Sequence, residues 1–144
     1  MEKYLNVNMN VKHRKNLTRL RISAHELHIE LGRRYNLPPD KRICKVCNNG
    51  VEDEHHFLFL CRALNNIRTS YLDKLQIEKN EEGLYDKERS LKKLFDNNKN
   101  PNFYRIVGEF CFKMNELREK ILLAKKSPSA DIIIKTNLSR YDLY

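Results

Sequence analysis

Five residues between positions 44 and 61 combine residue types and spacings suited to holding a metal ion: Cys44, Cys47, His55, His56 and Cys61. They read C-x2-C, then a histidine pair, then a third cysteine. Zinc takes thiolate sulfur and neutral imidazole nitrogen in a tetrahedron. A C-x2-C turn reverses the chain, so two thiolates can reach one ion, and the second pair comes from the helical start that follows. Three thiolates and one imidazole fill all four positions and leave none for water, so the expected site is structural rather than catalytic. Three cysteines and two histidines within eighteen residues are hard to read as unrelated core thiols and surface imidazoles. Cys61 lies five residues after His56 and six after His55. On an ideal helix those separations turn through about 140° and about 120°. Neither histidine then points at the same ion as Cys61 unless the helix tightens or bends, and spacing alone leaves the two open.

A structural ion is part of the folding energy. Structural zinc in finger peptides contributes an apparent 10–16 kcal/mol, roughly, near neutral pH. Residues 43–62 are too short to hold a dry core unaided. Chelation is therefore expected to melt this segment while a later helix with its own apolar face survives.

The elements that must position these ligands read as mostly helical. The chain has 144 residues, the size of one domain, with four Gly, four Pro and no Trp. Leu17, Leu20, Ala24, Leu27 and Leu31 recur at spacings of three and four, which is a helical stripe. Ser23 and Glu26 form an S-x-x-E pair inside it, suggesting a capping box and a break near Ile22–Ser23. Gly32 and Pro38–Pro39 end the stretch. Asn48–Asn49–Gly50 is a turn signal, so a short knuckle or hairpin is expected there. Glu52–Asp53–Glu54 suit a helix N-terminus, and a helix is expected from about Glu54 past Cys61 towards Leu75. Asn80–Gly83 reads as a linker, 86–96 as a short helix and Asn97–Pro101 as a turn. Phe103, Val107, Phe110, Met114, Leu117 and Ile121 predict the longest helix over 102–125, stopped by Pro128. An Ile run within 131–135 suggests a strand or extended tail. The first ten residues read as frayed or loosely packed. The expected fold is thus a small helical domain: a basic N-terminal segment (1–42), a zinc knuckle (43–62), a helical segment packed on it (63–127) and a tail (128–144).

The motifs around the ligands resemble a known family. Leu20-Arg21-Ile22-Ser23-Ala24-His25-Glu26-Leu27 leads into Lys41-Arg42-Ile43-Cys44-Lys45-Val46-Cys47, and then Val51-Glu52-Asp53-Glu54-His55-His56-Phe57-Leu58 leads to Cys61. This order resembles the zinc-binding segment after the polymerase in non-LTR retrotransposon reverse transcriptases. There, an L-R-x-(S/G)-x-H-like helix precedes C-x2-C, and an acidic stretch leads to H-F-L-x-x-C. The resemblance spans about residues 17–64 and implies Cys44, Cys47, His56 and Cys61 as the ligands of one structural zinc. Arg62 stands where a proline often follows the last cysteine, suggesting a helix that continues. A polymerase would be several times longer, and no polymerase-type acidic metal motif is present. The expectation is a terminal piece of such an element, or a gene fragment derived from one.

Charge is compatible with that expectation. The chain carries a formal +9, and residues 1–42 hold ten Lys/Arg against four Asp/Glu. A basic leading third suits either a nucleic-acid footprint or an ordinary solvated, Lys-rich surface, and charge alone leaves the two open. The candidate phosphate contacts are Lys12, Arg14, Lys15, Arg19, Arg21, Arg33, Arg34, Lys41 and Arg42. The resemblance implies RNA or DNA as the partner, and Tyr35 is a candidate for base stacking. The alternative is a zinc-braced interaction module docking on a polymerase or a second copy through the apolar stripe of the long helix. No P-loop, H-E-x-x-H or Ser/His/Asp order supports an enzyme or a small-molecule substrate. No long apolar run or secretory h-region is visible, so an intracellular place in nucleus or cytoplasm is expected, where cysteines favour metal over disulfides. Cys111, beside two phenylalanines, reads as a buried hydrophobe, and His25 and His28 as surface or boundary residues.

Overall fold

The computed structural model describes residues 2–126. The Ile run of 131–135 and the stop at Pro128 lie outside them. Five α-helices organise the described residues: α1 (Val11–Arg21), α2 (His28–Arg34), α3 (Asn65–Leu75), α4 (Lys87–Leu94) and α5 (Pro101–Lys125). Among the described residues there is no strand, only one antiparallel bridge between Ile43 and Val51. The fold is mostly helical with a long C-terminal helix, as expected.

The axis of the molecule is α5, against which α1 and α3 pack. Pro101 opens it at a position where its missing N–H costs nothing, and the Asn100 side chain accepts from Phe103 N. The stripe Val107, Phe110, Met114, Leu117 and Ile121 is buried within the chain, and Cys111 is buried beside it. The seam that could have joined two chains is thus consumed by the core. Tyr71 of α3 stacks on Phe110, and His13 of α1 lies against Phe112.

The N-terminal residues are not frayed. A 3-10 turn at Lys3–Asn6 inserts Tyr4, and Val7 follows it into the core. Tyr4 Oη is 3.0 Å from Thr18 Oγ1, so the phenol carries its polar tip to a partner. The break after α1 falls where the sequence places it, with Ile22 as C-cap and Ser23 at φ +55°. The capping box does not form, because Leu27 rather than Ser23 precedes α2. Ala24 is consequently exposed, and the stripe is shared between two helices rather than carried by one.

The helix expected from Glu54 to Leu75 is interrupted. It opens at Glu54, widens into a π-helical turn over His56–Leu60, and stops at Cys61, whose ψ of 116° is extended. A 3-10 turn, Arg62–Leu64, restarts the chain into α3. Arg62 therefore begins a new turn instead of continuing the old helix.

Candidate metal centre

The knuckle is built by short-range backbone bonds. Cys44 N donates to Gly50 O at 2.9 Å, and Asn48 N donates to Cys44 O at 2.8 Å. Asn48 and Gly50 both take positive φ, 58° and 85°. Glycine meets that demand at Gly50 without strain. A Cβ there would also approach within 3.7 Å of His56 Nδ1. On the other side, Asp53 starts the helical turn: its Oδ1 accepts from His56 N at 2.8 Å.

The π-turn resolves the angular problem posed by the spacing. Cys61 N donates to His56 O at 2.7 Å, closing a ring between residues five apart. Residues 56 and 61 therefore lie on the same side of the turn, as they would not on an α-helix. The helix widens rather than tightens. His55 is carried away: its Nε2 lies 2.8 Å from Tyr85 O and its ring lies against Phe59.

One ligand atom from each of Cys44, Cys47, His56 and Cys61 lies within 4.8 Å of the other three. Cys44 and Cys61 sulfurs are 4.0 Å apart, and Cys47 Sγ is 3.3 Å from His56 Nε2. A tetrahedron with metal–sulfur bonds of 2.3 Å has edges of about 3.8 Å, so the cluster is compatible with a single bound metal. Cys44, His56 and Cys61 are buried, while Cys47 is partly exposed. The side-chain hydrogen bond with Cys61 holds the Cys44 pKa low, against the effect of burial. Cys61 is correspondingly pushed up, by that same bond first and by burial second. Burial also raises Cys47.

Four charged residues, Glu52, Arg118, Arg68 and Lys125, brace this cluster. Glu52 is 1% exposed, and its carboxylate accepts from Arg118 Nε at 2.8 Å and Nη2 at 2.9 Å. It also accepts from His28 N at 2.7 Å and lies 3.7 Å from Cys44 Sγ. Arg68 is 3% exposed and donates to the carbonyls of Leu58, Phe57 and Cys61, at 2.9, 3.3 and 2.8 Å. Leu58 O and Phe57 O are left open where the π-turn ends, whereas Cys61 O also accepts from Leu64 N at 3.2 Å. Burial pulls the Arg68 guanidinium pKa down to about 10, which leaves it cationic at neutral pH. Lys125 donates to the carbonyls of Lys45 and Val46, tying the end of α5 to the knuckle. The sequence does hold a signal for both arginines. Arg118 is in phase with Met114 and Ile121, and Arg68 with Leu64, Leu72 and Leu75, so each sits on an apolar stripe where only a paired charge is tolerated.

His25 is neither a surface nor a boundary residue. It is buried, with Nε2 2.7 Å from Glu54 Oε1 and Nδ1 accepting from Leu27 N at 3.3 Å. That bond, ahead of the opposing effect of burial, lowers the Glu54 pKa. Ser23 Oγ donates to the same oxygen, at 3.2 Å. The α1–α2 loop is thereby tied to the start of the metal turn.

The nine basic candidates separate into two groups. Lys12, Lys15 and Arg19 are exposed on one face of α1, and Arg33, Arg34 and Lys41 are exposed nearby in sequence, with Arg33 paired to Glu30. Arg14, Arg21 and Arg42 instead hold the fold. Arg14 donates to Val7 O at 2.6 Å, and Arg21 to Phe95 O at 2.7 Å while covering the Tyr4 ring. Arg42 donates to Leu37 O and Ile29 O, and its stem lies so close to Gly32 that a Cβ there would meet it at 2.6 Å. Tyr35 is 77% exposed. Among the described residues no helix is long and apolar enough to cross a membrane. Comparison with family models, with curated proteins and with solved structures finds no match.

Proposed function

We propose that this chain is a nucleic-acid-binding module braced by one structural zinc, of the kind found after the polymerase in non-LTR retrotransposon reverse transcriptases. The observation that carries the reading is the convergence of Cys44, Cys47, His56 and Cys61 on a π-turn that aligns residues five apart. Zinc suits the donor set, because three thiolates and an imidazole are soft to borderline ligands in tetrahedral array. The four protein ligands leave no open position, so we read the centre as non-catalytic. Its work is to fix the knuckle against α5.

The partner is RNA or DNA, contacted through phosphates by the exposed stripe Lys12, Lys15 and Arg19, with Arg33, Arg34 and Lys41 alongside. Such contacts make binding salt-dependent and weakly selective for sequence. Exposed Tyr35 is placed to stack on an unpaired base. Docking on a polymerase or a second copy would need a surface other than the α5 stripe, since that stripe is buried. The test is fluorescence anisotropy of labelled single-stranded RNA and DNA against salt. Affinity should fall linearly on a log–log plot, and Lys12→Gln with Lys15→Gln should flatten the slope. Binding that is insensitive to salt, or absent at low salt, contradicts the reading.

A further inference from the structure

The described residues contain a second concentration of cations, outside the nine read from the sequence. A shallow groove of about 390 Å³ lies between the N-terminal turn and the start of α5. Its lining includes Lys3, Lys99 and Arg105, with Asn8 and Tyr104, and no Asp or Glu. The three cations come from three different segments of the chain. None of them forms an ion pair among the described residues, where the ion pairs engage Arg21, His25, Arg33, Lys87, Arg118 and Lys120. By contrast, the larger cleft beside Arg19 and Arg34 also carries Glu26 and Glu119 in its lining.

Each groove cation is held without being neutralised. Lys3 Nζ donates to Asn98 Oδ1 at 3.3 Å, Arg105 Nε donates to Asn8 O at 2.8 Å, and Lys99 Nζ lies over the Phe103 ring. These contacts fix the side chains and leave their charge unmatched. The start of α5 is already capped by Asn100, so the cations and not the helix terminus define the feature. Asn8 stands four residues before Lys12, at most about 14 Å along the chain. The groove therefore adjoins the beginning of the exposed stripe on α1.

We propose that this groove is a phosphate-contact site for a nucleic-acid strand, extending the α1 stripe with Lys3, Lys99 and Arg105. The inference rests on the nucleic-acid reading above. It adds a location that composition did not reveal, because Lys99 and Arg105 lie far from the basic leading third. Three cations that each displace a condensed counterion from a single strand account for a slope of about 2 in log K against log salt.

The test uses the full chain with its metal and a labelled single-stranded oligonucleotide. The variant Lys3→Gln/Lys99→Gln/Arg105→Gln should weaken binding on the order of tenfold at low salt and flatten the slope by about 2. A control, Arg89→Gln/Lys92→Gln/Lys93→Gln on α4, removes the same net charge and should do distinctly less. Should the triple variant melt early, Lys99→Gln alone decides, since its ammonium contacts a ring and no carboxylate; its slope should flatten by roughly 0.7. Wild-type binding with an unchanged slope in the groove variants overturns this inference and leaves the parent reading standing. Equal losses in groove and control variants reduce it to net charge and overturn it too. No wild-type binding at low salt removes both. Calorimetric titration with inorganic phosphate separates the sources: groove-dependent phosphate binding without an effect on the oligonucleotide assigns the site to a small phosphorylated ligand and rejects the strand.

Discussion

Replacing Arg118 by methionine should be among the most damaging single changes in this protein. Arg118 sits on α5, Glu52 sits between the knuckle and the metal turn, and the two side chains are 7% and 1% exposed. Methionine keeps most of the buried stem and removes two charge-assisted bonds of 2.8 and 2.9 Å. The loss falls mainly on Glu52, which keeps one backbone donor, His28 N, beside a sulfur that itself carries charge when metal is bound. Breaking one partner of a buried pair costs about 3–5 kcal/mol. For a domain of this size that is on the order of 10–20 °C in Tm. Replacing both partners, Glu52→Gln with Arg118→Met, removes the stranded charge and should recover more than half of the loss. Thermal melts of wild type, both single variants and the double variant, all with metal, provide the cycle. A single-variant loss under about 1 kcal/mol, or single losses that simply add, would refute the claim that this pair is a buried, coupled clamp.

Three further outcomes follow from the same geometry. His56→Ala should abolish most metal affinity in a cobalt or zinc titration, whereas His55→Ala should keep it and cost only the stability of its contact with Tyr85 O; the reverse ranking would discard the π-turn argument. Arg68→Met should lower metal affinity roughly 10–100-fold, because the guanidinium holds the Cys61 carbonyl and so orients that ligand, and unchanged affinity would show that the carbonyls it binds are held by something else. Burial pushes the Cys111 thiol up to about 12 from 9.0. Iodoacetamide at pH 8.5 should therefore leave it unlabelled until denaturant is added, and its contribution to stability should decline as pH rises past 9, where the unfolded thiol ionises. Labelling of Cys111 in the folded protein would contradict its placement inside α5.

The parts legible in the sequence were those governed by local chemistry. Phe103 to Ile121 repeat at helical spacing, and the helix forms from Pro101 to Lys125. The C-x2-C turn and Asn-Gly signal fix the knuckle. The ambiguity between His55 and His56 had a definite physical source. An α-helix aligns residues three and four apart, so a separation of five could be placed only once the local widening was seen. The N-terminal segment escapes a sequence reading because Tyr4 and Val7 alone make no periodic pattern; they are held against α1, where Thr18 meets the Tyr4 phenol and Arg14 meets Val7 O. Among the arginines, Arg21 and Arg42 look like phosphate contacts by charge alone. Arg21 reaches Phe95 O, distant in sequence, and Arg42 turns back on Leu37 O and Ile29 O, contacts set by the path of the loops and not by any local period. Arg68 and Arg118 were visible as charges on apolar stripes, but which acceptors waited for them depended on the tertiary packing.

The most direct measurement is metal stoichiometry on the purified, reduced chain, read with the absorption spectrum of its cobalt-substituted form. The account predicts one zinc per chain, bands of a tetrahedral site with three sulfurs and one nitrogen, and loss of amide protection over 43–62 on chelation while α5 stays ordered. A chain that is fully protected against exchange over that segment, yet carries no metal and binds none when zinc is supplied, would contradict it.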